Sequence, residues 1–356
     1  MNQDRTQDLQ AQVRAAARDA RALAIRGGGT KTFLGQAAAG EPIALAEHAG
    51  VLRYQPEELV LTARAGTPLT EIESALAERG QMLAFEPPHF GPGATLGGTI
   101  ACGLSGPARA AAGSARDFVL GVRLLNGRGD DLRFGGEVMK NVAGYDLSRL
   151  MVGAFGTLGL LLEISLKVLP RPIATRTLVQ EHGVENALER MAHWAGQPLP
   201  ISATCHDGER LFVRLSGAER GVAAAAERIG GDALDDGDAE HLWRDGLREH
   251  GHPFFQGDAP LWRLSVPPAA PPLGFPGPQL IEWGGAQRWL RSDAPAAEIR
   301  AAASAGGGHA TLFRGPRGDE TVFHPLPPAL HALHRRLKAA FDTAGILNPG
   351  RLYPDL

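Results

Sequence analysis

Ala22-Leu23-Ala24-Ile25-Arg26-Gly27-Gly28-Gly29-Thr30-Lys31 is a short apolar run that feeds directly into three glycines. Ala22–Ile25 reads as a strand. A strand that ends in consecutive glycines is a natural anion-binding nest, because without Cβ atoms successive N–H groups can converge on a phosphate. The loop is not a P-loop, since the Gly-x-x-x-x-Gly-Lys-Ser/Thr spacing is missing. Nor is it a Rossmann loop, because Gly-x-Gly-x-x-Gly occurs nowhere in the chain. Taken alone, the glycines fit a simple turn leaving a strand equally well.

Working outward, glycine is the compositional outlier. The 356 residues hold 46 glycines, and 24 of them lie between Gly27 and Gly159. There is no Gly-X-Y period, and 44% hydrophobic content excludes a disordered low-complexity chain. Further bare-backbone stretches follow in order: Gly93-Ala94-Thr95-Leu96-Gly97-Gly98-Thr99, Gly103-Leu104-Ser105-Gly106, Gly113-Ser114-Ala115-Arg116-Asp117 and Gly153-Ala154-Phe155-Gly156-Thr157-Leu158-Gly159. Several separated segments of this kind imply one long, polar ligand crossing many loops. A dinucleotide with a flat ring suits that better than a simple phosphate.

The totals exclude other classes. Lys+Arg 36 against Asp+Glu 39 gives a net charge of −3, without a basic stripe for nucleic acid. Cys102 and Cys205 make neither a disulfide framework nor a Cys-x-x-Cys site, which fits a reducing compartment. Two thiols also cannot supply the four ligands of an ordinary iron–sulfur cluster. No signal pattern opens the sequence, and no apolar run approaches the roughly 20 residues of a membrane helix. The expectation is a soluble, cytoplasmic chain.

Element signals divide the chain at Pro170-Arg171-Pro172. Before it, residues 8–20 read as a helix, Leu59–Ala63 as a strand, and Leu69, Ile72 and Leu76 as the buried stripe of a helix capped by Thr67, Pro68 and Gly80. Val119–Leu125 and Asp131–Phe134 flank a hairpin signal at Asn126-Gly127-Arg128-Gly129, and Leu160–Leu169 is a further strand. After it come strand 174–181, helix 184–195, strands 201–205 and 210–215, and helix 218–229. An irregular acidic stretch leads to a helix around Leu242–Glu249, then a Pro-rich loop at 267–278. Strands near 279–291, a helix near 295–304, a strand near 309–313 and a terminal helix at 326–343 complete the pattern. The mixture predicts an α+β chain: residues 1–170 as one domain, 171–315 as a smaller α+β domain with one mainly antiparallel sheet, and 316–356 returning to the first.

The ordered set of Arg26–Lys31, Pro56-Glu57-Glu58-Leu59-Val60 to Ala65-Gly66-Thr67, Gly93–Gly98 and Gly156-Thr157-Leu158-Gly159 resembles the vanillyl-alcohol-oxidase (PCMH-type) FAD-binding superfamily. Phe85-Glu86-Pro87-Pro88, Lys140-Asn141-Val142-Ala143-Gly144-Tyr145-Asp146 and Leu347-Asn348-Pro349-Gly350-Arg351 narrow the resemblance to the FAD-binding subunits of bacterial glycolate oxidases. The resemblance covers 22–170 and 340–354 closely and implies a two-subdomain FAD-binding domain. It implies that Gly27, Gly28, Gly29 and Thr30 hold the FAD pyrophosphate with Arg26 and Lys31 as supporting charge, in a site that also includes Gly66 and Pro88. Gly93, Ala94, Thr95, Leu96, Gly97 and Gly98, with Gly103, would pass the pyrophosphate and isoalloxazine side. Gly156, Thr157, Gly159 and Ile164 would line the adenine and ribose region, and Asn348 and Arg351 would return to the flavin edge. Many relatives carry a histidine in the first glycine loop that bonds to the flavin. Gly28-Gly29-Thr30 stands there, so non-covalent FAD is expected. The related catalytic dehydrogenases read Gly-Ser-Glu-Gly-Thr-Leu-Gly in the last glycine motif, where this chain has Ala154-Phe155, which removes one acidic group.

Oxidising a 2-hydroxy acid needs a base for the hydroxyl proton and a cation for the carboxylate. Candidate bases are His89, Tyr145 and His324; candidate carboxylate clamps are Arg109, Arg116, Arg263 and Arg351. Each has an ordinary surface or hydrogen-bonding role as its competing reading, and no catalytic residue is assigned. His331 and His334 share a helix face but have no acidic partner at suitable spacing, so no metal site is expected. The histidine-rich metal signature of the catalytic dehydrogenases is absent from the sequence. The resemblance therefore implies an FAD-carrying subunit that works beside a homologous catalytic FAD subunit and an iron–sulfur subunit delivering electrons to membrane quinone. Contact with the inner membrane would run through those partners only. A self-contained D-lactate-type dehydrogenase and a scaffold holding FAD that never turns over are the alternatives.

Overall fold

Val60-Leu61-Thr62-Ala63-Arg64 carries no polar–apolar alternation, and in the computed structural model all five residues of that strand are buried. The structure describes residues 3–136, 146–316 and 321–356. All of the motif Lys140–Asp146 except Asp146, and with it the candidate base Tyr145, lies outside the described residues. Contacts divide the chain into two units: Met1–Leu104, Ser114–Pro170 and Pro325–Leu356 form the first, and Ser105–Gly113 with Arg171–His324 the second. The sequence reading keeps 1–170 in one piece and begins the returning segment at 316. Contacts place Ser105–Gly113 with the second unit, whose described residues past 315 run to His324.

In the first unit a five-stranded sheet runs in the order Val51–Gln55, Val60–Arg64, Leu160–Lys167, Val119–Leu125, Asp131–Gly135, with every neighbouring pair antiparallel. Buried hydroxyls of Thr62 and Ser165 meet at 2.8 Å between its two central strands, so each satisfies the other. Helix Leu69–Ala77 buries the expected Leu69, Ile72 and Leu76. Its cap differs from expectation. Pro68 stands at the N-cap position, and Thr67 instead donates to the Arg64 carbonyl at 2.7 Å while accepting the Gly50 amide at 2.9 Å. Thr67 thus closes a turn rather than a helix end. Gly80 lies two residues past the Glu78 cap, at φ +63, where its amide reaches the Ala77 carbonyl at 3.0 Å.

A separate parallel pair, Leu23–Arg26 with Glu41–Ala44, frames the first glycine loop. Leu23 also bridges to Leu347 in parallel, so the chain's C-terminal segment joins this edge.

The second unit is built on eight strands in the order Asp232–Ala233, Ala174–Glu181, Arg210–Gly217, Ile201–His206, Gln279–Glu282, Gln287–Arg291, Leu261–Ser265, His309–Arg314. Every neighbouring pair is antiparallel. Helices Val184–Ala195 and Glu219–Ile229 pack their Ala187, Met191, Trp194, Val222 and Ile229 stripes on one end of this sheet. Helix Ala296–Ala305 packs Ile299 and Ala303 against Trp262, Leu264 and Leu312 at the other. Strand Leu261–Ser265, which the sequence reading passes over, lies next to the sheet edge. The helix expected near 242–249 spans His241–Arg248 with π-type bonding. Asp236–Glu240, expected as irregular, is a short helix whose Asp235 cap accepts the Gly237 amide at 2.8 Å.

Candidate cofactor site

The strand Leu23–Arg26 releases the chain at Gly27 into an open cleft. The cleft is lined by Arg26 to Thr32, by Thr95, Gly97 and Gly98 at the start of helix Leu96–Cys102, by Gly156 and Gly159, and by Asn348 and Arg351. Among the described residues no backbone acceptor is found for the amides of Gly27, Gly28, Gly29 and Thr30. N–H groups left open to the cleft in a loop of this shape are what a phosphate requires. Gly29 sits at φ +77 with nothing within 4 Å of where a Cβ would stand. The lining fits a dinucleotide: bare amides and two cationic residues at one end, and an apolar wall of Leu45, Ala65, Leu161 and Phe155 elsewhere.

The other glycines of these two loops meet neighbouring protein atoms rather than open space. A Cβ on Gly28 would stand 1.4 Å from the Gly93 carbonyl oxygen, and one on Gly27 would stand 2.5 Å from Thr95 Oγ1. On Gly97 it would reach Ala65 Cβ at 2.7 Å. The first and second glycine motifs are therefore pressed together, and their lack of side chains lets two loops share one wall of the cleft.

Asn348, at φ +44, holds three segments at once. Its Oδ1 accepts the Ile25 amide at 2.7 Å, its Nδ2 donates to the Phe155 carbonyl at 2.6 Å, and its amide donates to Leu23 O at 2.9 Å. Behind it, the buried Lys338 ammonium donates to Asp342, to Thr157 O at 2.9 Å and to the Leu347 carbonyl. Arg351 donates to Gln36 O and Thr32 O, and its guanidinium lies 5.8 Å from the Phe155 ring centre. Lys31 Nζ reaches the His89 carbonyl at 3.2 Å. Cys102 lines the same cleft; burial pushes its thiol up to about 11, against the pull of Lys31 and Arg351.

Arg26, Gly27, Gly28, Gly29, Thr30, Lys31, Thr95, Gly97, Gly98, Gly156, Gly159, Asn348 and Arg351 thus come together around one cleft. The remaining expected residues stand behind it. Leu96 and Ile164 are fully buried core, and Ala94 accepts the Leu69 amide at 2.9 Å through its carbonyl. Gly66 packs on the Leu45 carbonyl, Gly93 on Gly28, and Gly103 is the left-handed cap of helix Leu96–Cys102. The Thr157 hydroxyl donates to Ala154 O at 2.7 Å, and Pro88 is buried away from the lining. Sequence reasoning missed Ile25, Thr32, Leu45, Ala65, Ala101, Cys102, Phe155 and Leu161. Ile25, Thr32, Ala65, Cys102 and Phe155 lie in or beside a motif that could have pointed to them.

Among the described residues of the first unit, Arg351 alone of the candidate acid–base and carboxylate-binding residues lines the cleft. His89 Nε2 lies 3.1 Å from Glu73, and Arg116 donates to Val152 O at 3.3 Å. His331 does have an acid within reach, Asp355 at 3.1 Å, brought from the C-terminal segment rather than from its own helix. Among the described residues no three His, Cys, Asp or Glu side chains converge on a metal position. Arg109, Arg263 and His324 belong to the second unit.

Residues 4–135 match the family described as an FAD binding domain. The whole chain is 50% identical over 353 residues to the glycolate oxidase subunit GlcE of Escherichia coli (strain K12), covering 99% of both. It is 33% identical over 181 residues to the glycolate oxidase subunit GlcD of Bacillus subtilis (strain 168), half of this chain and 38% of that one. Among solved structures, 4-ethylphenol oxidase from Gulosibacter chungangensis superposes with a TM-score of 0.71 at 14% identity, covering 98% of this chain and 88% of the other. Alkyldihydroxyacetonephosphate synthase does so at 0.66 and 16%, covering 96% and 75%. At those identities the structures establish the fold alone, an α+β architecture shared with these two proteins. The match at 50% identity over 99% of both chains shows the family: the chain belongs to that of the glycolate oxidase subunit GlcE.

Proposed function

We propose that this chain is the FAD-binding subunit of a multi-subunit glycolate oxidase, which takes glycolate to glyoxylate with release of two electrons and two protons. The observation that carries the reading is the glycine-walled cleft, with four amides that have no backbone acceptor among the described residues, in a chain that matches GlcE over 99% of its length. Gly27 to Thr30, with Arg26 and Lys31, would bind the pyrophosphate of FAD, and the Leu45, Ala65, Leu161 and Phe155 wall would exclude water from its rings. No histidine stands in the first glycine loop, which supports non-covalent binding. Bound FAD supplies the two-electron acceptor; the protein supplies position and electrostatics.

The partners in this proposal are a homologous FAD subunit of the GlcD kind and an iron–sulfur subunit that passes electrons to quinone. Two cysteines fall short of the four thiolates of an ordinary cluster, which supports a route for the electrons through a partner polypeptide. Among the described residues no helix is long and apolar enough to cross a membrane; in this proposal contact with the inner membrane runs through the partners.

The test is anaerobic addition of glycolate to the purified chain, then to the chain with its partners. Bleaching of this subunit's flavin only in the complex is the expected result. Bleaching in the isolated chain would establish instead a self-contained 2-hydroxy-acid dehydrogenase. A flavin that never bleaches would mark a scaffold.

A further inference from the structure

Arg263 lies in strand Leu261–Ser265, paired with Trp289 on one side and Thr311 on the other. Its neighbours Trp262 and Leu264 point into the core beneath helix Ala296–Ala305, so alternation puts Arg263 on the opposite face of the sheet. There its guanidinium lies 5.7 Å from the Phe313 ring centre. Among the described residues it has neither a carboxylate partner nor a hydrogen-bond acceptor, and it remains partly accessible. The charge that acts on it is another cation, Arg109, whose guanidinium stacks 4.4 Å from the Trp283 ring centre. Trp283 is itself tied by its indole N–H to Gly106 O at 3.1 Å, in the same short segment as Arg109. His309, two register positions along on the same face through Ser265, also feels the Arg263 charge.

Two guanidiniums and an imidazole gathered on one sheet face, with no acid opposing Arg263, are costly to the folded chain. Burial and the Arg109 charge together pull the Arg263 guanidinium down to about 10. An arginine kept in such a position without a partner is the mark of a site whose partner arrives as a ligand. Planar guanidinium donors match a carboxylate in bidentate fashion, and the aromatic faces of Trp283 and Phe313 hold the cations in place without neutralising them.

We propose that Arg263, with Arg109 and His309 beside it, forms a binding subsite in the second unit for the carboxylate of a small 2-hydroxy or 2-oxo acid. The acid class rests on the glycolate oxidase reading above; the anion site rests on Arg263 alone.

The experiment is calorimetric titration of the full-length, FAD-loaded chain without partners, using glyoxylate, oxalate and sulfate as probes, with Arg263→Met and Arg263→Lys beside the natural chain. Expected is saturable binding of glyoxylate and oxalate. Arg263→Met should weaken it about tenfold or more, and Arg263→Lys should restore only part. Arg263→Met should at the same time unfold at the same temperature as the natural chain or higher, because an apolar side chain replaces an unopposed charge. A structural arginine would do the reverse, so a marked fall in melting temperature with unchanged binding overturns the inference. Sulfate binding as tightly as the carboxylates overturns the acid class, and absence of any carboxylate binding overturns the site. If the assembled complex oxidises glycolate while this chain binds no acid, the subsite fails and the function stands. Binding here without glycolate oxidation in the complex has the opposite meaning.

Discussion

Asn348 accepts the amide proton of Ile25 at 2.7 Å, across 323 residues of sequence. Ile25 is the last apolar residue before the first glycine loop, so the position of that loop depends on a side chain near the other end of the chain. The same amide group donates to Phe155 O at 2.6 Å, which fixes the loop that brings Gly156 and Gly159 to the cleft. Asparagine is suited to this twice over: it carries a donor and an acceptor on one planar group, and it tolerates the left-handed backbone found here at φ +44.

Two substitutions separate these roles. Asn348→Gly keeps the backbone but loses both side-chain bonds, stranding a buried N–H and a buried carbonyl, at a cost of about 2–4 kcal/mol. Asn348→Asp keeps the acceptor toward Ile25 but turns an oxygen toward Phe155 O, so it should cost at least as much, and the cost should ease on acidification as the carboxyl protonates. Urea unfolding at two pH values measures both effects. An Asp variant of natural stability at pH 8 would disprove the role assigned to the Asn348 amide.

Lys338 and Asp342 form a buried pair behind this joint. All three ammonium protons of Lys338 have acceptors, and Asp342 also accepts the amides of Ile346 and Leu347 at 3.1 and 2.7 Å. Burial lowers the pKa of Lys338 while Asp342 opposes that shift. Lys338→Met should cost about 3–5 kcal/mol, since it leaves a buried carboxylate and two carbonyls without their cation. A double-mutant cycle with Asp342→Asn should return a coupling of about 1–3 kcal/mol. Coupling near zero would mean that the pair is incidental to the fold.

Much of this architecture is written locally. Helix Val184–Ala195 has the expected bounds because Ala187, Leu188, Met191 and Trp194 recur on one face. Strand Ala174–Glu181 likewise has its expected span, entered from Pro172. Strand Leu261–Ser265 escaped because it is five residues between Pro260 and Pro267, with Leu261, Trp262 and Leu264 buried on two faces and therefore no period. The cofactor loops were legible because bare backbone is a requirement that glycine alone meets. The apolar wall was not, since Leu45, Ala65 and Leu161 are residues that any core could use. The assignment of Ser105–Gly113 to the second unit depends on contacts far along the chain, and no local signal carries it.

The two neighbouring glycines of the first loop should respond differently. Gly28→Val drives a side chain into the Gly93 carbonyl, where backbone cannot yield, so the two loops must separate and FAD retention should be lost. Gly29→Ala meets nothing within 4 Å and carries the backbone cost of a positive φ, about 1 kcal/mol. Flavin-to-protein ratio after gel filtration, with melting temperature beside it, distinguishes them. Full flavin content in Gly28→Val would refute the packing of the two loops as a condition for binding.

Cys102 offers a direct reading of the cleft. Its thiol is pushed up to about 11 by burial, so thiolate, the reactive form, is scarce at neutral pH. The sign follows: iodoacetamide should modify Cys102 in the FAD-free chain very slowly at pH 7, with the rate rising about tenfold per pH unit toward pH 10. An ordinary exposed thiol would level off near pH 8.5–9. Cys205 is buried and its thiol is also raised, so peptide mass analysis must locate the label. Because Cys102 lines the cleft, saturating FAD should slow its modification at every pH without changing that of Cys205. Modification of Cys102 at the same rate with and without FAD would place the cofactor elsewhere.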